Sequence, residues 1–548
     1  MHMHFGARMN NFKNEFTYRN FLESGKESEF DLLFDKAVEK VKIEIIGKKF
    51  PLIINGEEIY LQNEIVEHSP IDGTVLGIFQ KGSKSETIAA IESASKAFEE
   101  WSQTDYKKRA TIFKNTTQKL REQKFEFSAI LSMENGKTRY ESMGEVDEAI
   151  DFLNYYSNEL IKNKGYIRKS IIKGTNSRVS SGFQGAPGNE ETIRLVMKPY
   201  GVFGVIAPFN FPVSISMGMS SAAMITGNTV VFKPSSTDNM SMLTGYLIYK
   251  LFADSGIPRG VFNYLTGPGS EIGTELSSNK NVNGIAFTGS KNTGLSMISS
   301  NYAISKQTVF IVEMGGKNPA IVSKYANLDH AVSGISSAAF GFSGQKCSAC
   351  SRVYVQKDVK ETFIKKLIDY VSILKIGSPL EKDNFVGPLI SSLALQRYNE
   401  SVEEAKKSGK ILFGGEVIDT GIKGIYVKPV IAELSSENIL FKKELFLPFL
   451  VIDTYTEFEE ALKKANDTEY GLTAGLYSTK SQEIKYFLNK INAGVVYINR
   501  EISATTGAIV GFHTFVGWKS SGLTGKGTGS KFYLEQFMHE QSQAIVEH

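Results

Sequence analysis

The stretch that decides the fold runs from residue 228 to residue 290, and it contains three short apolar segments. These are NTVVFKPS at 228–235, VFNYLTG at 261–267 and NGIAFTGS at 283–290, with a helical pattern near 242–255 between the first two. Short, uninterrupted apolar runs that alternate with helices are typical of parallel strands covered on both faces. The stretch therefore predicts a doubly wound parallel sheet.

The same rhythm returns near residue 315 and defines a second α/β region. Its apolar segments are NPAIVSK at 318–324, SRVYVQ at 351–356 and AGVVYINR at 493–500. Helical patterns near 328–341 and 361–374 accompany them. The chain is therefore predicted to be an α/β protein with two doubly wound domains.

Composition and charge exclude several classes of protein. The chain has 548 residues, 41% of them apolar and 22% charged, which argues against extended disorder. Lys+Arg 62 against Asp+Glu 59 leaves a net charge of +3, so the strongly basic balance of a nucleic-acid-binding protein is missing. Its 2 cysteines, Cys347 and Cys350, cannot form a disulfide framework or complete a structural zinc site, and we predict no metal.

One uncharged stretch has the length of a membrane span. Residues 201–232 contain no Asp, Glu, Lys or Arg. The stretch also contains Pro208, Pro212 and several glycines, which suit short buried strands and turns better than a spanning helix. Because the chain also begins without an apolar leader, we expect a cytoplasmic protein without a membrane segment.

Glycine-rich turns follow two of the predicted strands, TGPGSEIG at 266–273 and FTGSKNTG at 287–294. Neither has the GxGxxG spacing, and each alone is typical of a strand-to-helix turn that needs a positive φ. Two such turns in succession favour a dinucleotide site, because amides at helix N-termini bind phosphate. Lys233 ends the strand NTVVF, where a lysine is either solvated or, at the carboxyl edge of a parallel sheet, able to bind a ribose.

Two residues are candidates for covalent chemistry. Cys347 follows Gly344-Gln-Lys, where backbone amides and Lys346 are expected to lower the pKa of a nucleophilic thiol, although most free cysteines are buried and inert. Glu313 stands at a strand end, where burial would raise the pKa of a general base; a structural carboxylate is the alternative. The spacing Cys347-Ser-Ala-Cys350 leaves a CxxC redox role open.

These residues fall in ordered motifs that together resemble the aldehyde dehydrogenase superfamily. The motifs are PFNFP at 208–212, KPS at 233–235, FTGS at 287–290, EMGGK at 313–317, GQKC at 344–347 and ELF at 444–446. Within the superfamily, the chain most resembles the 1-pyrroline-5-carboxylate dehydrogenase branch. That resemblance rests on FKNE at 12–15, FPLIING at 50–56, GQKCSACSR at 344–352, and YINRE at 497–501 followed by TGAIVG at 506–511.

The resemblance implies roles for individual residues. Cys347 would be the nucleophile, Glu313 the base that activates water, and Asn210 with the Cys347 amide the oxyanion hole. The cofactor would be NAD or NADP, bound by Lys233, Ser235, Ser236, Gly267, Thr288, Gly289, Ser290, Glu444 and Phe446. The substrate would contact Phe211, Ser348, Gly507, Ala508 and Phe515. Its carboxylate would lie on Ser348 and on the amides of Gly507 and Ala508, because neutral amides can bind a carboxylate without an arginine.

The implied reaction is the NAD(P)-dependent oxidation of L-glutamate γ-semialdehyde, the open form of 1-pyrroline-5-carboxylate, to L-glutamate. Another small acidic or aliphatic aldehyde, acyl transfer to coenzyme A, and a non-enzymatic structural role are the alternatives. Two departures from the family pattern bear on this reaction. Ser236 stands where many NAD-preferring members have Glu, which predicts that NADP is also accepted, and HTFVGW at 513–518 replaces QPFGGW at the predicted substrate wall.

The resemblance also implies an architecture of two doubly wound α/β domains with a bridging β-hairpin. Residues 1–165 and 197–313 would bind the cofactor, 314–525 would form the catalytic domain, and 166–196 with 526–548 would bridge subunits. We therefore expect a homo-oligomer, a dimer or larger, that acts on a small molecule supplied by a separate proline-oxidising enzyme. The long polar segment 174–191 has no counterpart in this account.

Overall fold

The structure, a computed structural model, describes residues 12–172, 191–236, 240–302 and 307–546. The described residues form two seven-stranded sheets, two three-stranded sheets and two pairs of strands. This arrangement confirms the predicted α/β fold. Residues 173–190, which hold nearly all of the polar segment at 174–191, lie outside the described residues.

The first large sheet contains the segments that decide the fold. Its strands are, in spatial order, Val309–Glu313, Val282–Thr288, Val202–Ile206, Thr229–Lys233, Phe262–Tyr264, Leu52–Ile54 and Glu57–Ile59. The first five are parallel and the last two antiparallel. The helices of this half are Thr17–Glu23, Glu27–Glu44, Lys84–Trp101, Tyr106–Glu122, Lys124–Asn135, Arg139–Lys162, Ser214–Ile225, Met242–Asp254, Thr274–Ser278 and Lys291–Tyr302. A small sheet of Lys48–Phe50, Val75–Gln80 and Glu64–His68 adjoins them.

The second large sheet is parallel except at one edge strand. Its order is Lys410–Phe413, Val430–Glu433, Phe449–Tyr455, Cys350–Gln356, Asn318–Val322, Thr473–Tyr477 and Val495–Ile498, and only the first strand is antiparallel to its neighbour. Its helices are Leu328–Phe340, Lys360–Ser372, Ser392–Ser408, Phe458–Asn466 and Ser481–Lys490. Strand pairs complete this half at Val417–Ile418 with Tyr426–Val427 and at Tyr470–Gly471 with Trp518–Lys519.

The third sheet pairs the hairpin strands Ile167–Ile172 and Glu191–Pro199 with the C-terminal strand Met538–Val546, all antiparallel. Its boundaries differ from the predicted ones. The second hairpin strand continues to Pro199, and Tyr533, Leu534 and Phe537 are buried in the core of the first domain. The predicted bridging segment at 526–548 is thus divided, because its apolar part packs inward and only the final strand joins the hairpin.

Helices pack tightly against the first sheet and bury its aromatic residues. Trp101, Phe113, Tyr156, Phe203, Phe232 and Tyr264 all belong to this core. Burial of each such side chain stabilises the fold by roughly 1.5–3 kcal/mol. Within the described ranges, none of the helices combines the length and the apolar character that a membrane crossing needs. Those ranges also contain no group of His, Cys, Asp or Glu arranged to hold a metal ion.

Candidate active site

The strands of the first sheet end in register and bring several predicted residues to one edge. Ile206 lies opposite Lys233, and Thr288 lies opposite Glu313. The amide of Gly289 then donates to the carbonyl of Glu313 at 3.1 Å. Parallel strands place their carboxyl ends on the same side of a sheet, which is where ligands bind in folds of this kind.

Lys233 is buried at this edge and retains room for further ligands. Among the described residues, its ammonium has only the carbonyl of Pro234 and the hydroxyl of Ser236 as acceptors, each at 3.2 Å. Burial lowers the pKa of Lys233 to about 8. Ser236 in turn donates to the carbonyl of Gly267. A buried ammonium with two long hydrogen bonds fits additional oxygen ligands such as ribose hydroxyls, so this edge fits the predicted dinucleotide.

The second glycine-rich turn offers hydroxyls and amides at a helix N-terminus. Ser290 Oγ lies 2.8 Å from Thr293 Oγ1 and accepts from the Thr293 amide at 3.3 Å. Both residues stand at the start of the helix Lys291–Tyr302. This end of a helix favours a phosphate group, which is the group that a dinucleotide presents between its two ribose rings.

Two glycines bring the second sheet against the strand that ends in Glu313. A Cβ on Gly315 would lie 2.5 Å from the carboxylate of Glu444, and one on Gly316 would lie 2.5 Å from the carbonyl of Cys347. Gly315 also has a φ of +79°, a conformation that favours glycine. The Gly316 amide donates to Glu444 Oε1 at 2.8 Å. Close approach therefore explains the Gly-Gly pair, which brings Glu444 and Cys347 to the side of Glu313.

The turn that carries Cys347 is fixed through its backbone. Asn318 Nδ2 donates to the carbonyl of Cys347 at 2.8 Å and to that of Ala349 at 2.9 Å. Thr505 Oγ1 donates to the carbonyl of Ser348 at 2.8 Å. These hydrogen bonds come from separate segments of the chain, so the position of the thiol is set by the tertiary structure and not by the turn alone.

The pKa of the Cys347 thiol moves in the direction opposite to the predicted one. Burial, together with the nearby carboxyl groups of Glu444 and Glu313, raises the pKa to about 12. The expected lowering by Lys346 is wrong, because the ammonium of Lys346 is paired with Glu141 at 2.8 Å. The thiol is therefore protonated at neutral pH, and a proton acceptor or a positive charge is needed to form the thiolate.

Glu313 is held in an enclosed position with one oxygen unused. Its Oε1 accepts from the amide of Gly517 at 3.3 Å, and its Oε2 is buried without a partner in the described part of the chain. Burial raises the pKa of Glu313 to about 8, and the Gly517 amide partly offsets that shift. Gly517 belongs to HTFVGW, the segment that replaces QPFGGW of the family pattern. Of the two glycines in that pattern, the one kept here contacts the carboxyl group of Glu313.

Asn210 is held by a buried ion pair that sequence reasoning missed. The ammonium of Lys137 donates to the Asn210 carbonyl and is paired with Glu145. Glu145 Oε1 accepts from the amides of Val213 at 2.7 Å and Ser214 at 3.1 Å, at the start of the next helix. The ammonium also lies 3.5 Å from the ring centroid of Phe211. The Lys137–Glu145 pair thus fixes the segment that contains Asn210 and Phe211. No sequence motif around Lys137 predicts this ion pair.

The loop predicted to bind the substrate carboxylate lies beside Cys347. The Thr505–Ser348 hydrogen bond joins the loop to the residue after Cys347. Arg500 Nη1 donates to the carbonyls of Thr506 at 3.2 Å and Gly507 at 3.0 Å. Gly507 has a φ of +80°, which explains the glycine at this position.

Glu148, Tyr497 and His513 also border this region. Tyr497 and His513 belong to motifs quoted from the sequence, whereas Glu148 was not singled out there. Burial raises the pKa of Glu148 to about 7, and the neighbouring Glu145 adds to the shift. Burial raises the pKa of Tyr497, and charges on Cys347 and Glu148 add to the shift, while the guanidinium of Arg500 lowers it. The ring of His513 packs edge-on against Tyr497 at 4.8 Å. The carboxyl group of Glu148 therefore lies within electrostatic range of the same tyrosine as Cys347.

Few contacts define the positions of the remaining residues predicted for the site. Phe446 adopts a φ of +61° and packs edge-on against Phe209 at 5.8 Å, next to Asn210. Phe515 pairs through its backbone with Thr528, and no described contact places its ring beside Cys347. The catalytic, cofactor-binding and substrate-binding roles predicted from the sequence all stay predictions.

Comparison with known proteins identifies the family. The aldehyde dehydrogenase family model matches residues 60–542. The 1-pyrroline-5-carboxylate dehydrogenase of Anoxybacillus flavithermus is 35% identical over 520 residues, 94% of this chain and 96% of the relative. The 1-pyrroline-5-carboxylate dehydrogenase 1 of Halalkalibacterium halodurans is 35% identical over 521 residues, with the same coverage.

Solved structures agree with these relatives. A 1-pyrroline-5-carboxylate dehydrogenase from Thermus with bound NAD has a TM-score of 0.87 and 30% identity, and covers 98% of this chain and 100% of its own. Betaine aldehyde dehydrogenase from Staphylococcus aureus in complex with NAD+ has a TM-score of 0.83 and 26% identity, covering 94% and 97%. The predicted resemblance and the predicted cofactor are thereby confirmed. The chain belongs to the aldehyde dehydrogenase family, as an NAD- or NADP-dependent aldehyde dehydrogenase.

Proposed function

We propose that this enzyme oxidises L-glutamate γ-semialdehyde to L-glutamate. The observation that carries the proposal is the Thr505–Ser348 hydrogen bond. It joins the residue before the loop 506–508 to the residue after Cys347 and so keeps the loop close to the thiol. The amides of Gly507 and Ala508 have no acceptor within the described residues. A substrate with an aldehyde at one end and a carboxylate at the other fits this pairing of a thiol with free amides.

An amino acid substrate also needs a site for its ammonium group. Glu148 is the carboxyl group that would bind this ammonium, because its charge and that of Cys347 both act on the side chain of Tyr497. Burial raises the pKa of Glu148 to about 7, and the charge of Lys137 offsets only part of that shift. A bound ammonium would restore the charged form, which supports an amino acid semialdehyde over a simple aliphatic aldehyde. The relatives named 1-pyrroline-5-carboxylate dehydrogenase support the same choice.

The proposed chemistry uses Cys347 as the nucleophile. A base first takes the proton of the thiol, and the thiolate then forms a C–S bond with the aldehyde carbon. The Asn210 amide and the Cys347 N–H stabilise the resulting oxyanion. The oxidised nicotinamide of the cofactor supplies a two-electron hydride acceptor. Loss of the hydride converts the adduct on Cys347 into a thioester. Glu313 then takes a proton from water, the hydroxide adds to the thioester, and the C–S bond breaks to release the acid and restore the thiolate.

The cofactor residues are proposed in the same way. Lys233 and Ser236 would bind the adenosine ribose, and the turn 288–290 the pyrophosphate. Glu444, which the Gly316 amide orients at 2.8 Å, would bind the nicotinamide ribose with Phe446 beside it. Because Ser236 carries no charge, a 2′-phosphate meets no repulsion there, and we propose that the enzyme accepts both NAD and NADP.

Initial rates of NAD(P)H formation test the proposal. The panel contains 1-pyrroline-5-carboxylate, acidic semialdehydes of other lengths and uncharged aldehydes, each with the wild-type enzyme and the Cys347→Ala variant. We expect a strong preference for 1-pyrroline-5-carboxylate that the variant abolishes. Higher kcat/KM on an uncharged aldehyde would favour the alternative, a dehydrogenase for another small aldehyde. Full turnover with coenzyme A in a Glu313→Gln variant would favour acyl transfer.

We also propose that the third sheet joins a second copy of the chain. Met538–Val546 forms one edge of this sheet, and an unpaired strand edge readily pairs with another strand. Removal of residues 538–548 is expected to dissociate the oligomer in light scattering, and an unchanged mass would contradict this assignment.

A separate proline-oxidising enzyme is proposed to supply the semialdehyde. A proline utilization A protein from Bdellovibrio bacteriovorus, TM-score 0.87 and 30% identity, supports this link. Coupled NADH formation from proline with an added proline dehydrogenase tests it.

A further inference from the structure

Two carbonyl groups of the loop 506–508 point at one arginine. Arg500 Nη1 donates to the carbonyl of Thr506 at 3.2 Å and to that of Gly507 at 3.0 Å. In a trans peptide the C=O and the following N–H point in opposite directions. The amides of Gly507 and Ala508 therefore leave the loop on the side away from Arg500. Because Arg500 Nη1 binds both carbonyls, both amides face the side of the loop away from Arg500.

Arg500 is itself held from two directions. Its backbone carbonyl accepts from the hydroxyl of Tyr477 at 2.6 Å. Its guanidinium carbon lies 4.6 Å from the ring centroid of Tyr497. The Tyr477 hydrogen bond uses only the backbone, so a change of the Arg500 side chain leaves that anchor intact. The guanidinium is thus a fixed charge behind the loop and not a mobile surface group.

We propose that Arg500 is a positioning residue that orients the Gly507 and Ala508 amides toward the substrate carboxylate and polarises them. This inference rests on the proposed function, since it requires a substrate that carries a carboxylate. Hydrogen bonds from an ionised donor to a peptide carbonyl strengthen the N–H on the other side of the same peptide, because dipoles in a chain polarise one another. The positive charge also favours an anion across the loop without contacting it. Arg500 thereby selects acidic aldehydes over uncharged ones of the same length.

The test compares two aldehydes of equal chain length in four proteins. The aldehydes are L-glutamate γ-semialdehyde and pentanal, and the proteins are the wild type, Arg500→Gln, Arg500→Lys and Glu501→Gln. Glu501 is the exposed neighbour and serves as the matched control. Each protein is also titrated with glutarate as a competitive inhibitor, which reports carboxylate binding without chemistry. Thermal unfolding checks that each variant is folded.

We expect kcat/KM for the semialdehyde to fall about 10- to 100-fold in Arg500→Gln, mainly through KM, in line with the loss of a charge-assisted hydrogen bond. The inhibition constant of glutarate should rise by a similar factor, while pentanal changes by less than about threefold. Arg500→Lys keeps the charge and should recover part of the loss. Glu501→Gln should match the wild type.

Three results would overturn the inference. Equal losses on both aldehydes would show a general structural role, and unchanged semialdehyde and glutarate constants would show no role. If Arg500→Gln does not fold, the folded Arg500→Lys variant is used instead. Equal losses of activity on the semialdehyde and on pentanal in that variant would likewise show a general structural role. A wild-type enzyme without preference for the semialdehyde would remove the proposed function itself. That outcome is read from the wild type alone, so the two failures are distinguishable.

Discussion

Replacing Glu313 with glutamine separates the two halves of the proposed reaction. The carboxylate is buried, one of its oxygens has no partner in the described residues, and its pKa is raised to about 8. A base acts only when it is deprotonated, so a raised pKa means that activity is lost as the pH falls through that value. About a tenth of the carboxyl groups are ionised at pH 7 and about nine tenths at pH 9, from the pKa of about 8. Thioester hydrolysis should therefore rise about tenfold between these pH values.

The assay follows the thioester on Cys347 directly. After a single turnover the reaction is quenched with acid at successive times, and the Cys347 peptide is quantified by mass spectrometry. In Glu313→Gln we expect the first turnover of NADH formation to persist, hydrolysis to slow by about 10²–10⁴, and the pH dependence of hydrolysis to vanish. Hydrolysis at the wild-type rate in the variant, or a wild-type rate that is flat between pH 7 and pH 9, would refute the assignment of Glu313 as the base.

Three further predictions concern the cofactor, the oxyanion segment and the second cysteine. Ser236→Glu introduces a charge near the ribose, and we expect kcat/KM with NADP to fall at least about tenfold relative to NAD, in initial-rate assays with both cofactors; an unchanged ratio would place the 2′-position elsewhere. Lys137→Met leaves Glu145 buried without its cation, so the free energy of unfolding in urea should fall by about 3–5 kcal/mol; a stability equal to that of the wild type would show that the pair carries no net energy. Cys350→Ser should keep most of the dehydrogenase activity, and its complete loss would revive the CxxC redox alternative.

The sequence predicted most of the fold and the chemical identity of the site. Apolar runs followed by glycine turns marked the strands that end at Lys233, Thr288 and Glu313, because the period and the turn residues are local properties. The two cysteines and the Glu-Met-Gly-Gly segment were equally visible. The close approach of Cys347 to the Glu-Met-Gly-Gly segment was not visible in the sequence, since it depends on Gly315 and Gly316, which leave room for Glu444 and Cys347.

Several features of the site had no local signal. Lys137 contacts the Asn210 carbonyl across a long stretch of chain, and its sequence neighbours form no motif. Arg500 stood within the recognised YINRE segment, but its role depends on where two carbonyl groups of a later loop point. Glu148 appeared as one charged residue in a helical pattern.

The sequence by itself determined which groups are present: a thiol, a carboxyl group and a lysine at strand ends, and a loop of small residues. Only the tertiary structure decided how those groups behave. It placed Glu313 and Glu444 beside Cys347 and paired Lys346 with Glu141, so the thiol pKa rose where the sequence predicted a fall. The physical reason is that burial and the charges of distant residues set a pKa, and both arise only when the two sheets are packed together.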